Sequence, residues 1–121
     1  MIAVDIYIGG KDRKDWAVEG INHYVKILKS HAMVSIEYFN PALGQSKNPS
    51  DLLNRVKSGV PVVILDEHGE KHNTDSFGDF LLKISGSGGR LAIFIGGHRG
   101  FSSEILNSVD NVISLSNMTF S

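Results

Sequence analysis

The stretch Leu91-Ala92-Ile93-Phe94-Ile95-Gly96-Gly97-His98-Arg99-Gly100 decides how the chain is read. Five apolar residues in a row, with no polar alternation, suit a strand buried on both faces of a sheet. The two glycines that follow let the backbone turn sharply and let a ligand approach the main chain closely. Ser102 or Ser103 can cap a short helix just beyond, with Ile105 and Leu106 turned inward. The loop is not of the Walker type, since no Gly-Lys-Ser/Thr follows, and Gly-Gly-x-x-Gly is not the dinucleotide fingerprint. A strand, a glycine turn and a helix in succession form half of a βαβ unit.

The same alternation extends in both directions. Met1 to Ile8 is apolar and β-branched, and it stops at Gly9-Gly10. From Asp15 to Ser30 the period changes: Val18, Ile21, Val25 and Leu28, with Tyr24 beside them, mark an amphipathic helix. Met33 to Phe39 reads as a second strand, closed by Asn40-Pro41. Asn48-Pro49-Ser50 is a helix start with proline at the first helical position, and Leu52, Leu53 and Val56 form its apolar face up to Gly59. Pro61 to Asp66 is expected to be a central strand, and Asp66 to Asn73 a polar turn. Thr74 can cap a helix whose inner face is Phe77, Phe80, Leu81 and Ile84, and Gly86 to Gly89 is a loop. Asn111 to Leu115 is a last strand. The order β-α-β-α-β-α-β-α-β predicts an α/β fold, a mostly parallel five-stranded sheet with helices on both faces.

Composition supports a folded core and excludes several classes of function. The chain has 121 residues, so a single domain spanning 1–121 is expected. Leu, Ile, Val and Phe make up about 31% of it, well above the roughly 20% below which disorder is the better reading. The formal net charge of −1 rules out an all-over basic coat for nucleic acid, though not a local patch. With no cysteine there is no disulfide, no thiolate nucleophile and no Cys-based zinc site. No apolar run approaches the roughly 20 residues of a membrane span, and no signal segment opens the chain. The expected setting is cytoplasmic, away from membranes.

In sheets of this kind ligands bind beyond the carboxyl ends of the strands. That rule selects four segments: Gly9–Lys14, Asp66–Asn73, Gly96–Gly100 and the tail after Leu115. Lys11, Arg13 and Lys14 form a small basic cluster that reads equally as a phosphate contact or an exposed loop. His68 and His72 stand near Asp66, Glu67 and Glu70, but in a glycine-containing turn helical i, i+4 geometry does not apply, so a solvated loop is expected and no metal. Leu115-Ser116-Asn117-Met118-Thr119-Phe120 mixes small polar and apolar residues, as could suit backbone contacts to an adenine edge with apolar packing on its faces; as a sequence alone it reads as a frayed terminus.

In family order, Gly10-Lys11, Asp15-Trp16, Gly20, Tyr24, Val63-Ile64-Leu65-Asp66 with Gly69, Phe94-Ile95-Gly96-Gly97 with Gly100, and Ser114-Leu115-Ser116 through Met118-Thr119-Phe120 resemble the large-subunit ribosomal RNA methyltransferase H family. That family is a minimal member of the SPOUT class, whose fold is a trefoil knot. The resemblance implies S-adenosylmethionine as cofactor and methylation of N3 of a pseudouridine in 23S rRNA on the assembled ribosome, by a homodimer. It implies cofactor contacts at Leu65, Gly97, Leu115, Ser116, Asn117, Met118, Thr119 and Phe120, and it leaves Lys11, Arg13 and Lys14 as the candidate RNA contacts.

The chain departs from the family's pattern in two places. The glycine loop usually continues Pro-Glu-Gly, whereas here it is His98-Arg99-Gly100, which reverses a charge beside a sulfonium cofactor. The family also continues with a long helix and a Tyr-His-containing end, whereas this sequence stops at Ser121. From that the expectation is an incomplete knot, weak cofactor binding and a polypeptide that self-associates or is marginally stable. An inactive RNA- or ribosome-binding remnant is therefore an alternative from another functional class, and a flavodoxin-like or nucleotide-binding module is a third. N3 of a pseudouridine carries a proton that must leave. His98 has a suitable unperturbed pKa near 6.5, but the family's proline there argues against a shared role, and the base stays unassigned.

Overall fold

The computed structural model describes residues 2–10, 26, 29, 32–71, 74–86, 89–96 and 99–114. Five strands form one sheet: β1 (Ile2–Gly9), β2 (Ala32–Phe39), β3 (Val62–Lys71), β4 (Arg90–Ile95) and β5 (Asn111–Ser114). Their order across the sheet is β2-β1-β4-β3-β5, and each neighbouring pair is parallel. Between them lie a 3-10 turn at Pro41–Gln45 and three helices, α1 (Ser50–Leu53), α2 (Thr74–Ser85) and α3 (Ser103–Ser108). The α/β reading with five parallel strands is therefore correct. The helix expected over Asp15–Ser30 falls almost wholly outside the described residues.

Side chains alternate across the pleat, so each strand feeds two cores. On one face Val4, Ile6 and Ile8 join Leu91, Ile93 and Ile95, Val63 and Ile113, and α2 lays Phe77 and Leu81 over them. On the other face Tyr7, Ala92, Phe94 and Ile64 meet Leu52 of α1, Ile105 of α3 and Phe101, which precedes α3. The uninterrupted run Leu91 to Ile95 is buried at every position, because β4 sits between β1 and β3 with elements on both sides. β2 is an edge strand and is far more open, with Met33, Ile36 and Tyr38 exposed.

The structure corrects several boundaries. The apolar face of Leu52, Leu53 and Val56 does pack on the second core, but α1 is a single turn; Asn48 Oδ1 accepts from the Ser50 N–H at its start. The 3-10 turn at Pro41–Gln45 has no counterpart in the sequence pattern. It is started by Asn40, whose side chain accepts from the Ala42 N–H, and by Pro41 in its first turn. Of the two possible serine caps, Ser102 is the one used, accepting from the Ile105 N–H at 3.2 Å. β3 does not end at Asp66. After an irregularity it resumes, and Glu70 and Lys71 pair with Ile113 and Ser114 of β5. The polar stretch lacks the apolar alternation of a strand, so its pairing could not be read from composition.

Tyr7 stacks on Phe94 with ring centroids 4.7 Å apart. Burial pushes its phenol above the usual value of 10.0, helped by the negative charges of Asp5 and Glu37. A raised folded pKa favours the neutral form in the folded state. The associated stability is fully present below pH about 10 and is lost as pH rises through the folded pKa. Tyr7→Phe keeps the stacked ring and removes the ionisable group, so its denaturation midpoint is expected to fall less between pH 9 and pH 12 than the wild type's. Equal slopes in a urea titration series would remove Tyr7 as the source.

Candidate active site

The carboxyl ends of β4 and β5 and the point where β3 leaves β4 lie side by side on one lip of the sheet. Leu65 of β3 is in register with Ile95 of β4 on one side and Ile113 of β5 on the other. Ile95 and Ile113 are buried, whereas Leu65 is only partly buried and packs against the first core. Gly96 follows Ile95 directly, and the buried Ser114 follows Ile113. Leu65 thus lies where a ligand at the carboxyl ends would meet an apolar side chain. Gly97, Leu115, Ser116, Asn117, Met118, Thr119 and Phe120 are outside the described residues, as are His98 and the basic cluster Lys11, Arg13 and Lys14.

Backbone crowding dictates the residue type around this lip. A Cβ on Gly96 would lie 2.9 Å from Gly100 Cα and 2.9 Å from a ring carbon of Phe101. A Cβ on Gly44 would lie 2.9 Å from the Gly100 carbonyl oxygen. Gly100 itself takes a positive φ of 69°, and a Cβ there would stand 3.4 Å from an Asp66 carboxylate oxygen. Gly100 is therefore the point where β3, β4 and the segment after β2 meet. Gly69 is tighter still: a Cβ would come within 2.6 Å of the Val112 and Ile113 backbone. That close approach is what lets β3 resume along β5.

Sequence reading missed the segment after β2. It crosses from the sheet edge, past β1, to the loop after β4, where the Ser102 N–H donates to the Gly44 carbonyl at 2.7 Å. Ser102 Oγ donates to the Ser46 carbonyl at 2.6 Å, and Gln45 Nε2 donates to the carbonyls of Arg99 and Gly100. The only sequence hint is Gly44-Gln45-Ser46 after a proline turn, which has no periodicity. Arg99, the site of the charge reversal, is exposed and contributes its carbonyl to this contact. Among the described residues no group of three or more His, Cys, Asp or Glu could hold a metal ion. Among them, too, no helix is long and apolar enough to cross a membrane.

Comparison with known proteins agrees with the fold. A family model described as "Predicted SPOUT methyltransferase" matches residues 2–121. A Thermotoga sp. (strain RQ2) protein named Ribosomal RNA large subunit methyltransferase H is 34% identical over 108 residues, covering 84% of this chain and 72% of that protein. A protein of the same name from Kosmotoga olearia is 32% identical over 126 aligned positions, covering 97% of this chain and 81% of its own length. One from Christiangramia forsetii reaches 41% over a shorter span of 78 residues, which is 64% of this chain and 50% of that protein. A parallel sheet with a glycine loop at its carboxyl lip, and a match that runs nearly end to end, place this chain in the SPOUT methyltransferase family.

Proposed function

We propose that this methyltransferase moves a methyl group from S-adenosylmethionine to N3 of a pseudouridine in 23S rRNA, on the ribosome and as a homodimer. The observation that carries the reading is the register of Leu65 with Ile95 and Ile113, because the cofactor residues expected from the resemblance are Leu65 and those that follow Ile95 and Ile113 a residue or two along the chain. The relatives' names supply the ribosomal RNA. The residues present suit the cofactor: a partly buried leucine offers an apolar surface to a purine face or a thioether. When bound, the cofactor supplies an electrophilic methyl carbon on a sulfonium.

Transfer of that methyl is an in-line displacement, so the protein contributes mainly orientation, worth up to about 7–11 kcal/mol in favourable cases. In this reading Leu65 bounds the apolar side of the site, with Gly96 and Gly100 beside it. Gly97 and residues 115–120 would complete the enclosure, while Lys11, Arg13 and Lys14 would take RNA phosphate. The decisive assay is methyl transfer from labelled S-adenosylmethionine to ribosomes lacking this modification, alongside calorimetric titration of S-adenosylhomocysteine. Turnover with mass added at the pseudouridine supports the reading. Cofactor binding without turnover favours the RNA-binding alternative, and absence of cofactor binding sinks the proposal.

A net charge of −1 makes a general basic field impossible, so RNA affinity must come from a local patch and a large docking surface. Weak binding to free RNA and measurable binding to ribosomes are expected. Changing Lys11, Arg13 and Lys14 together to Ala should weaken ribosome binding. It should also flatten the salt dependence by about 0.7–0.9 in log–log slope for every phosphate that is no longer neutralised. If the mutant keeps the wild-type slope, the cluster is an ordinary surface loop.

A further inference from the structure

We propose that Gln45 is a positioning residue for the cofactor loop, an inference that rests on the site proposed above. Its amide nitrogen donates to two carbonyls at once, that of Arg99 at 3.1 Å and that of Gly100 at 2.9 Å. A neutral carboxamide suits this role, because its two N–H groups match two acceptors and it brings no charge to be desolvated. The neighbours of Gln45 reinforce the contact. Gly44 accepts from the Ser102 N–H, Ser46 accepts from Ser102 Oγ, and the same hydroxyl accepts from the Ile105 N–H. Ser102 therefore ties α3 to the segment after β2 while Gln45 sets the Arg99 and Gly100 carbonyls a short way before it.

The consequence passes to the lip through packing. Gly100 is closely approached on its inner side, since a Cβ on Gly96 would lie 2.9 Å from its Cα, a Cβ on Gly44 would lie 2.9 Å from its carbonyl oxygen, and its own would stand 3.4 Å from Asp66. Moving the Arg99 and Gly100 carbonyls moves Gly100 Cα, against which Gly96 packs, and Gly96 leads into Gly97. Gln45 acts on the cofactor through backbone alone, from 54 and 55 positions away in sequence. It is exposed, so its two bonds contribute little to global stability, as exchange with water offsets most of their strength. Position and stability are thereby separable at this residue.

The test compares wild type with Gln45→Met, which keeps length and loses both donors, and Gln45→Glu, which also turns an anion toward two carbonyl oxygens. Amide hydrogen exchange over residues 96–102, S-adenosylhomocysteine affinity, steady-state KM values and the thermal midpoint are read on each. The expected result is faster exchange in that segment, affinity weakened by about tenfold, or about 1.4 kcal/mol, in Gln45→Met and further in Gln45→Glu, with a nearly unchanged midpoint. KM should rise for S-adenosylmethionine and not for ribosomes. A residue that merely supports the fold would lower the midpoint and scale kcat, leaving both KM values alone, and that pattern overturns the proposal. So does unchanged affinity in both variants, whatever the exchange shows. A wild-type chain that binds no S-adenosylhomocysteine would sink the cofactor reading itself, and faster exchange in the variants would then mark Gln45 as a loop contact only.

Discussion

Gly69→Ala is expected to lower the thermal unfolding midpoint by about 10 °C, the equivalent of about 3 kcal/mol in a domain of this size. Space alone is responsible. Gly69 lies outside the positive-φ region, so alanine meets no backbone strain of that kind. The added methyl carbon, however, would sit 2.6 Å from the Val112 carbonyl group and 2.6 Å from the Ile113 nitrogen. Those atoms belong to the backbone of β5 and cannot swing aside as a side chain would. Either β3 fails to resume at Glu70, without its second pairing to Ile113 and Ser114, or β5 shifts outward. Total stability is only about 5–15 kcal/mol for a domain, so either outcome is large. Because Ser114 leads into the expected cofactor loop, S-adenosylhomocysteine affinity should fall in the fraction that stays folded.

Gly78 is the internal control for that experiment. It lies inside α2, and a Cβ there would meet nothing within 4 Å. Gly78→Ala should therefore stabilise, by about 0.4–1 kcal/mol, by restricting the unfolded chain and removing glycine from a helix interior. Opposite signs at the two glycines, measured in the same denaturant series, are the expected outcome. A neutral Gly69→Ala would show that β3 and β5 do not approach so closely.

How much of the fold is readable in advance depends on whether a residue's signal is local. Leu91 to Ile95 announces a buried central strand because every position is apolar, and the structure buries every one of them. Val63 and Ile64 behave the same way, and Phe77 and Leu81 follow helical spacing onto the first core. Order across the sheet is another matter. Nothing in Ala32–Phe39 says that it is an edge strand, although its exposed Met33, Ile36 and Tyr38 follow directly from that position. Glu70 and Lys71 look like turn residues, and they enter the ladder only because Gly69 lets two distant stretches of backbone touch.

The site divides along the same line. The turn at Gly96 is legible because a buried strand followed by glycine advertises itself, and the rule about carboxyl ends adds the direction, whereas Leu65 enters only through the family resemblance. The contacts that shape the loop are not legible. Gln45 carries no periodic signal, and its acceptors are main-chain carbonyls, which have no sequence signature at all. Gly100 can be flagged as a turn glycine, but its neighbours Gly44, Gly96 and Asp66 come from three separate elements. A single sequence shows that backbone must come close somewhere; only the fold says to what.

Gly97→Val should reduce S-adenosylhomocysteine affinity by more than about 100-fold, or about 2.7 kcal/mol, while leaving the thermal midpoint within a few degrees of wild type. Its neighbour should behave differently. Gly96 is buried, and a Cβ on it would strike Gly100 and Phe101, so Gly96→Ala should cost stability and affinity together. Gly97 is the next residue along the chain, past the end of β4, whose last residue Ile95 pairs with Leu65. In the proposed reading its missing side chain leaves room for the cofactor, and a branched side chain would take up that room. Side chains that intrude only on a ligand raise its dissociation constant and leave the folded state alone, whereas side chains that intrude on the protein do both. Calorimetry on Gly97→Val beside Gly96→Ala, each paired with a thermal melt, therefore separates a ligand-facing glycine from a packing glycine. Wild-type affinity in Gly97→Val would take that residue out of the site and leave Leu65 as the proposed cofactor contact among the described residues.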